Sequence, residues 1–218
     1  MDTTPQDSQL TTDRRRFLGA ATAIGALAAT AAQGAALGGV GVALSQFGTE
    51  VAVVVNPDSS LATSTNNDIY VMGPDGSGRQ AITNNLANDN SPAYSPDSRY
   101  VAYLAMTVPG FEADRQQVML YERATGRRRS LTADWMSSVD AISWTPDSRA
   151  LIAEVPERGG VSLYRIEVTN GRRSLLVSGG VNRGARVPPR GDEMVFVRST
   201  ADRPAEEQRG HVRRLEAE

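Results

Sequence analysis

One unit of this chain is written three times. Asp68-Ile69-Tyr70-Val71 runs through Gly73-Pro74-Asp75-Gly76-Ser77-Gly78 to Ala81-Ile82-Thr83, and Val118-Met119-Leu120-Tyr121 runs through Ala124-Thr125-Gly126 to Ser130-Leu131-Thr132. Ser162-Leu163-Tyr164-Arg165 runs through Thr169-Asn170-Gly171 to Ser174-Leu175-Leu176. Each copy reads as strand, tight glycine turn, strand. A second unit follows each copy: Ala93-Tyr94-Ser95-Pro96-Asp97-Ser98-Arg99, then Ile142-Ser143-Trp144-Thr145-Pro146-Asp147-Ser148-Arg149, and more loosely Ala185 to Phe196. The spacing is 51 residues from Tyr70 to Tyr121 and 43 from Tyr121 to Tyr164, the difference falling in the loop Val108 to Gln116. A repeat constrains a fold more than any composition does, because each unit must bury its apolar face against the next copy.

Turn chemistry fixes what the second unit does. Pro96 and Pro146 preset φ at the first central turn position, and Asp97 and Asp147 are placed to bond back to backbone amides. Their recurrence with the repeat assigns these residues to structural turns rather than to a catalytic carboxylate pair. Tyr94 and Trp144, at matching places before the turn, are expected to fill the space between successive units. After Leu44 no stretch keeps a 3.6-residue apolar period, so the domain reads as all-β. Two hairpins per 40 to 45 residues is the pattern of a four-stranded propeller blade. The expected fold is therefore a partial or small β-propeller of about three to four blades over residues 45–205, preceded by an N-terminal signal helix. Residues 206–218 read as a polar, disordered tail.

The N-terminal residues read as an address. Arg14 and Arg15, with Phe17 and Leu18 just beyond, stand before an uncharged run from Phe17 to Leu44 in which 17 of 28 residues are Ala or Gly. This is the layout of a twin-arginine export signal over residues 1–44, which places the mature domain in the periplasm or outside the cell. The run is also long enough to span a bilayer, so an uncleaved anchor stays open, with the membrane met only through this segment.

Composition then excludes chemistry. With no Cys and a single His, His211, the chain offers no Cys-liganded zinc, no thiol nucleophile and no His-based metal cluster. No catalytic residue, cofactor or metal is expected. All 23 basic residues are Arg, balanced by 25 acidic ones for a net charge of −2, which argues against a nucleic-acid partner. Arg127-Arg128-Arg129 and Arg172-Arg173 read as solvated edge residues that discourage strand-to-strand aggregation. The long loop is the functional candidate. Phe111 offers an apolar contact, while Glu112, Asp114 and Arg115 are candidates to hold peptide termini or a neighbouring domain. An internal brace with an Asp to Arg pair fits the same residues.

The repeat with Tyr/Trp-Ser/Thr-Pro-Asp-Ser-Arg, preceded by Ile69-Tyr70-Val71-Met72 and Asp75-Gly76-Ser77-Gly78, resembles the TolB-like propeller repeat. From Val108-Pro109-Gly110-Phe111-Glu112-Ala113-Asp114-Arg115 to Ser143-Trp144-Thr145-Pro146-Asp147-Ser148-Arg149, the chain is similar to the N-terminal propeller of bacterial prolyl oligopeptidase family serine peptidases, in the dipeptidyl and acylaminoacyl peptidase branch. That resemblance implies a propeller that caps an α/β-hydrolase domain and filters peptide substrates, the chemistry being acyl transfer to a serine. The family's Gly-x-Ser-x-Gly pentapeptide is absent from these 218 residues. This stretch is therefore expected not to hydrolyse peptides by itself, with a hydrolase domain supplied elsewhere as its partner. The alternative is a stand-alone TolB-like module that binds a periplasmic protein.

Overall fold

The central strands show why this sequence builds blades. In Tyr100-Val101-Ala102-Tyr103-Leu104-Ala105 five consecutive residues are buried, because both faces of the strand are covered. Val101, Tyr103 and Ala105 pack toward the preceding blade with Ile69, Val71 and Ile82. Ala102 and Leu104 pack toward the following blade with Leu151, Ala153 and Ile166. The two-residue alternation of a strand thus serves two cores at once.

A computed structural model describes residues 41–46, 48–58, 64–189 and 193–211, all of it β-structure and turns. Blade 1 is β1 (Val42–Leu44), β2 (Val51–Val55), β3 (Asp68–Met72) and β4 (Gln80–Ala81). Blade 2 is β5 (Asp89–Tyr94), β6 (Tyr100–Ala105), β7 (Gln117–Glu122) and β8 (Arg127–Ser130). Blade 3 is β9 (Ala141–Trp144), β10 (Ala150–Glu157), β11 (Gly160–Glu167) and β12 (Arg173–Val177). A fourth unit has three strands among the described residues: β13 (Val181–Arg186), β14 (Glu193–Thr200) and β15 (Arg203–His211). Strands within a blade are antiparallel, and the innermost strands β1, β5, β9 and β13 stand side by side in that order. One parallel bridge, Val161 to Val181, joins blade 3 to the fourth unit in a continuous sheet.

The boundaries differ from the sequence reading at both ends. Val42-Ala43-Leu44, assigned to the export segment, is β1 and pairs with Val51 to Val53. An apolar run ending in Val and Leu serves a strand as well as a signal, and nothing polar marks the junction. At the other end, Arg203–His211 is a nine-residue strand, although its residues were divided between the blades and a disordered tail. Its exposed, polar residues carry no hydrophobic pattern, and its order comes from the backbone ladder to β14, from Glu193–His211 to Thr200–Arg203. Arg14, Arg15, Phe17 and Leu18, with the signal helix, lie outside the described residues.

The repeated turns bond as their chemistry requires. Ser95 donates its hydroxyl to Asp97 at 2.6 Å and accepts the Tyr100 amide at 2.9 Å; Thr145 does the same with Asp147 at 2.7 Å and Ala150 at 3.0 Å. Asp97 and Asp147 accept the amides of Arg99 and Arg149, both at 3.1 Å. Ser98 and Ser148, each at the reversal, take φ of 58° and 59°. Bonds also run from one blade to the next at the spacing of the repeat. The Trp144 indole N–H donates to the Ala93 carbonyl at 2.9 Å, and the Asp97 amide donates to Ser148 Oγ at 3.0 Å, each across 51 residues. Trp144 also stacks on Tyr100, with ring centroids 6.5 Å apart. A second recurring device was not foreseen. Thr83 and Thr132, at the ends of the first two hairpins, accept the amides of Ile69 and Val118 at 2.7 and 2.9 Å.

Candidate functional site

Antiparallel alternation sorts the connections. The short turns β5–β6, β7–β8, β9–β10 and β11–β12 gather on one rim, called lower here. The connections β2–β3, β4–β5, β6–β7, β8–β9 and β10–β11 gather on the upper rim. The β6–β7 loop (106–116) dominates the upper rim around blade 2.

Asp114 shapes that loop from within. Its Oδ2 accepts the Thr107 amide at 2.7 Å, the Val108 amide at 2.8 Å and the Thr107 hydroxyl at 3.1 Å. Its Oδ1 accepts the Arg115 amide at 2.8 Å. The Thr107 amide, then the other donors, hold the carboxyl below its usual range despite some desolvation. Gly110, at φ 72°, reverses the chain, and its amide donates to Thr65 Oγ1 in the β2–β3 loop at 3.1 Å. Arg115 turns to the β8–β9 loop, where its guanidinium donates to the carbonyls of Trp135, Thr132 (3.1 Å) and Ala133 (3.4 Å).

Two of the four candidate contact residues are therefore committed inside the rim. Asp114 and Arg115 brace it through backbone groups and do not form an ion pair with each other. Phe111, 52% exposed, and Glu112, also exposed, stand at the loop tip, with Val108 47% exposed beside them. Leu86 on the β4–β5 loop and Met136 on the β8–β9 loop are more exposed still, at 70% and 89%.

Below the rim, where blades 1 and 2 meet, sits a feature that sequence reasoning missed. Asp89, at the start of β5, is fully buried; Asn85 donates to its Oδ2 at 2.5 Å, while Oδ1 has no hydrogen-bond partner among the described residues. Burial pushes this carboxyl up to about 6, with the neighbouring Asp68 adding to the shift and Asn85, Thr83 and Arg128 opposing it. Asp68 is itself raised by burial, against the hydroxyl of Thr83, which donates to it at 3.0 Å. An Asp flanked by Asn88 and Asn90 reads as a turn in sequence, and only the packing of blade 1 reveals its burial. Among the described residues no group of three or more His, Cys, Asp or Glu is placed to hold a metal ion. No helix among them is long and apolar enough to cross a membrane.

The blade repeats are matched by known proteins. The TolB β-propeller domain family (PD40) matches residues 41–208. The chain belongs to that family. A probable dipeptidyl-peptidase 5 from Emericella nidulans is 32% identical over 120 residues, covering 51% of this chain and 16% of the relative. The chain thus spans about a sixth of that protein's length, in a region homologous to a propeller rather than to a whole enzyme. Among solved structures, TolB from Acinetobacter baumannii superposes with a TM-score of 0.62 at 19% identity, covering 79% of this chain and 40% of that one. A puromycin-hydrolyzing peptidase from Mycobacterium tuberculosis gives 0.62 at 13% identity, covering 82% and 28%. At such identities the two structures speak for the fold. The TolB-like propeller, homologous to the propeller region of dipeptidyl peptidases, is the architecture anticipated from the repeats.

Proposed function

We propose that this TolB-like propeller works as the substrate-filtering part of a prolyl oligopeptidase family peptidase, its upper rim facing a hydrolase domain that carries the serine nucleophile. The observation that supports it is the β6–β7 loop. Asp114 and Arg115 spend their polar groups on rigidity and so hold Phe111 and Glu112 outward in a fixed place, as a contact surface requires. In this reading the nucleophile and base belong to the hydrolase domain. The propeller's contribution is to position a peptide and limit the size of what reaches the catalytic serine, whose acyl transfer the hydrolase domain performs. A second reading, a stand-alone propeller that binds a periplasmic protein, draws on the likeness to TolB.

A photo-crosslinking amino acid placed at Phe111 in cells separates the two. A covalent adduct with an α/β-hydrolase, identified by mass spectrometry, is the expected result. An adduct with a periplasmic protein lacking Gly-x-Ser-x-Gly favours the second reading, and absence of any adduct overturns both. The purified chain is also expected to leave dipeptidyl chromogenic substrates uncleaved, so turnover sensitive to a serine-directed phosphonate contradicts the proposal.

The export route belongs to the same proposal. Arg14 and Arg15 ahead of Phe17 and Leu18 direct the chain through the twin-arginine translocase. Residues 1–44 fused to a fluorescent protein that folds before export are expected to deliver it to the periplasm, and Arg14→Lys with Arg15→Lys to hold it in the cytoplasm. Equal delivery by both fusions excludes the route.

A further inference from the structure

Several arginines of this chain face carboxylates. Arg123 pairs with Glu50 at 2.5 Å, Arg165 with Glu167 at 2.7 Å, Arg173 with Asp134 at 2.7 Å and Arg183 with Asp140 at 3.0 Å. The outermost strand of blade 2 breaks the pattern. Arg127, Arg128 and Arg129 occupy three of the four positions of β8, all exposed, and none forms an ion pair among the described residues. Arg128 donates to the Asn84 side-chain oxygen at 2.9 Å, Arg129 donates to the Val168 carbonyl, and the Arg127 guanidinium has no partner among the described residues. Arg128 and Arg129 are thus hydrogen-bonded to neutral oxygens, and Arg128 also acts electrostatically on the buried Asp68 and Asp89 across the seam.

The ladder turns this charge toward a groove. Tyr100, Glu122 and Arg127 stand in one cross-strand row, and Ala102, Leu120 and Arg129 in another on the same face. Tyr100, Leu120, Glu122 and the three arginines line a groove of about 220 Å³. Glu122 is the one carboxylate among its lining residues, and Thr125 donates to its Oε2 at 2.6 Å. The corresponding strand of blade 1, Gln80–Ala81, has no charge, and the arginine that opens β12, Arg173, is already paired. The repeat does not require arginines here.

We propose that β8 and its groove bind an acidic segment of a protein, laid in extended form along the strand. Among the described residues β8 pairs only with β7, so its outer edge offers unpaired backbone groups for strand addition. Successive side chains of an added strand alternate in direction, as do Arg127, Arg128 and Arg129, so carboxylates on it meet guanidinium groups on both faces. Arginine holds carboxylates in a bidentate fork, and the Tyr100 and Leu120 walls strengthen such bonds by excluding water. The same arginines that repel a second basic edge therefore attract an acidic one. This surface is separate from the upper rim, and its test is independent of the hydrolase reading.

The experiment uses the full chain and a fluorescein-labelled peptide, Gly-Glu-Glu-Glu-Glu, followed by fluorescence anisotropy. A Gly-Gln-Gln-Gln-Gln peptide is the neutral control and citrate the small-molecule competitor. The acidic peptide is expected to bind at least tenfold more tightly than the neutral one, and more weakly as salt rises. Arg127→Gln, at an exposed position whose side chain supports nothing else, is expected to weaken binding at least fivefold. Arg203→Gln, on β15, is expected to leave binding within twofold of the original. Occupancy is also expected to change tryptophan emission, because Tyr100 stacks on Trp144. Equal binding of the two peptides, or unchanged binding by Arg127→Gln, overturns the proposal. Displacement by citrate at the same concentration of carboxylate overturns it as well, since the groove then takes a small anion and not a strand.

Discussion

Trp144→Ala destabilises the chain by about 3 kcal/mol, lowering the thermal midpoint by roughly 6–12 °C for a domain of this size. The side chain is half-buried, so its apolar contribution is about 1 kcal/mol, well below that of a fully buried Trp. It also stacks on Tyr100 across the seam between blades 2 and 3, which adds about 1 kcal/mol. Its indole N–H is bonded to the Ala93 carbonyl, and losing that donor costs about another 1 kcal/mol. Trp144→Phe keeps most of the stacking and loses the donor, so it is expected to recover about half of the loss. Urea denaturation of the three proteins measures both steps. A cost below about 1 kcal/mol for the alanine variant shows that the seam is held by the aliphatic cluster alone.

Asp89→Asn has its effect in the opposite direction and only at some pH values. The folded-state carboxyl is raised from the ordinary range to about 6, so between about pH 4 and pH 6 the folded chain holds a proton that the unfolded chain releases. The contribution of Asp89 to stability is thus complete below about pH 4, falls as pH rises through 6, and is a constant penalty above. An asparagine has the same shape and no charge, and its side-chain oxygen can still accept from Asn85. The variant is expected to match the original near pH 4 and to exceed it by about 2 kcal/mol at pH 7.5, a shift of two pH units being worth somewhat more before solvent relaxation. Asp68, Arg128 and Tyr103 face the same seam and are present in both proteins, so the difference between the two stability curves reports the Asp89 charge together with its coupling to them. Parallel curves from pH 4 to pH 7.5 contradict the buried charge.

What the sequence makes legible is whatever the repeat makes periodic. The hairpins, the Pro-Asp turns and the seam aromatics recur, and a recurring residue exposes its structural duty by recurring. Tyr94 and Trp144 accordingly lie in the clusters between blades 1 and 2 and between blades 2 and 3. What stays hidden is what occurs once. β15 is held by a backbone ladder that any residue can supply, and β1 is embedded in an Ala/Gly run that suits an export segment equally well. Asp114 and Arg115 look like free ligands in sequence because spacing does not reveal that backbone amides and carbonyls already saturate them. Thr83 and Thr132 were visible as repeated letters, but their role depends on an amide fourteen residues earlier, across a hairpin. The third copy has Leu176 at that place and forgoes the bond.

The Trp144 indole bond to Ala93 and the Asp97 amide bond to Ser148 join neighbouring blades beside the β5–β6 and β9–β10 turns, so the lengths of these two turns are tied to each other. An extra residue there shifts a donor away from its acceptor in the adjoining copy. The upper-rim loop from 106 to 116 joins the same strands with no such tie to the lower turns, and it absorbs the residues by which the first spacing exceeds the second. The largest difference in length between copies therefore falls on the upper face, where it leaves the interlocked turns 95–99 and 145–149, five residues each, in register.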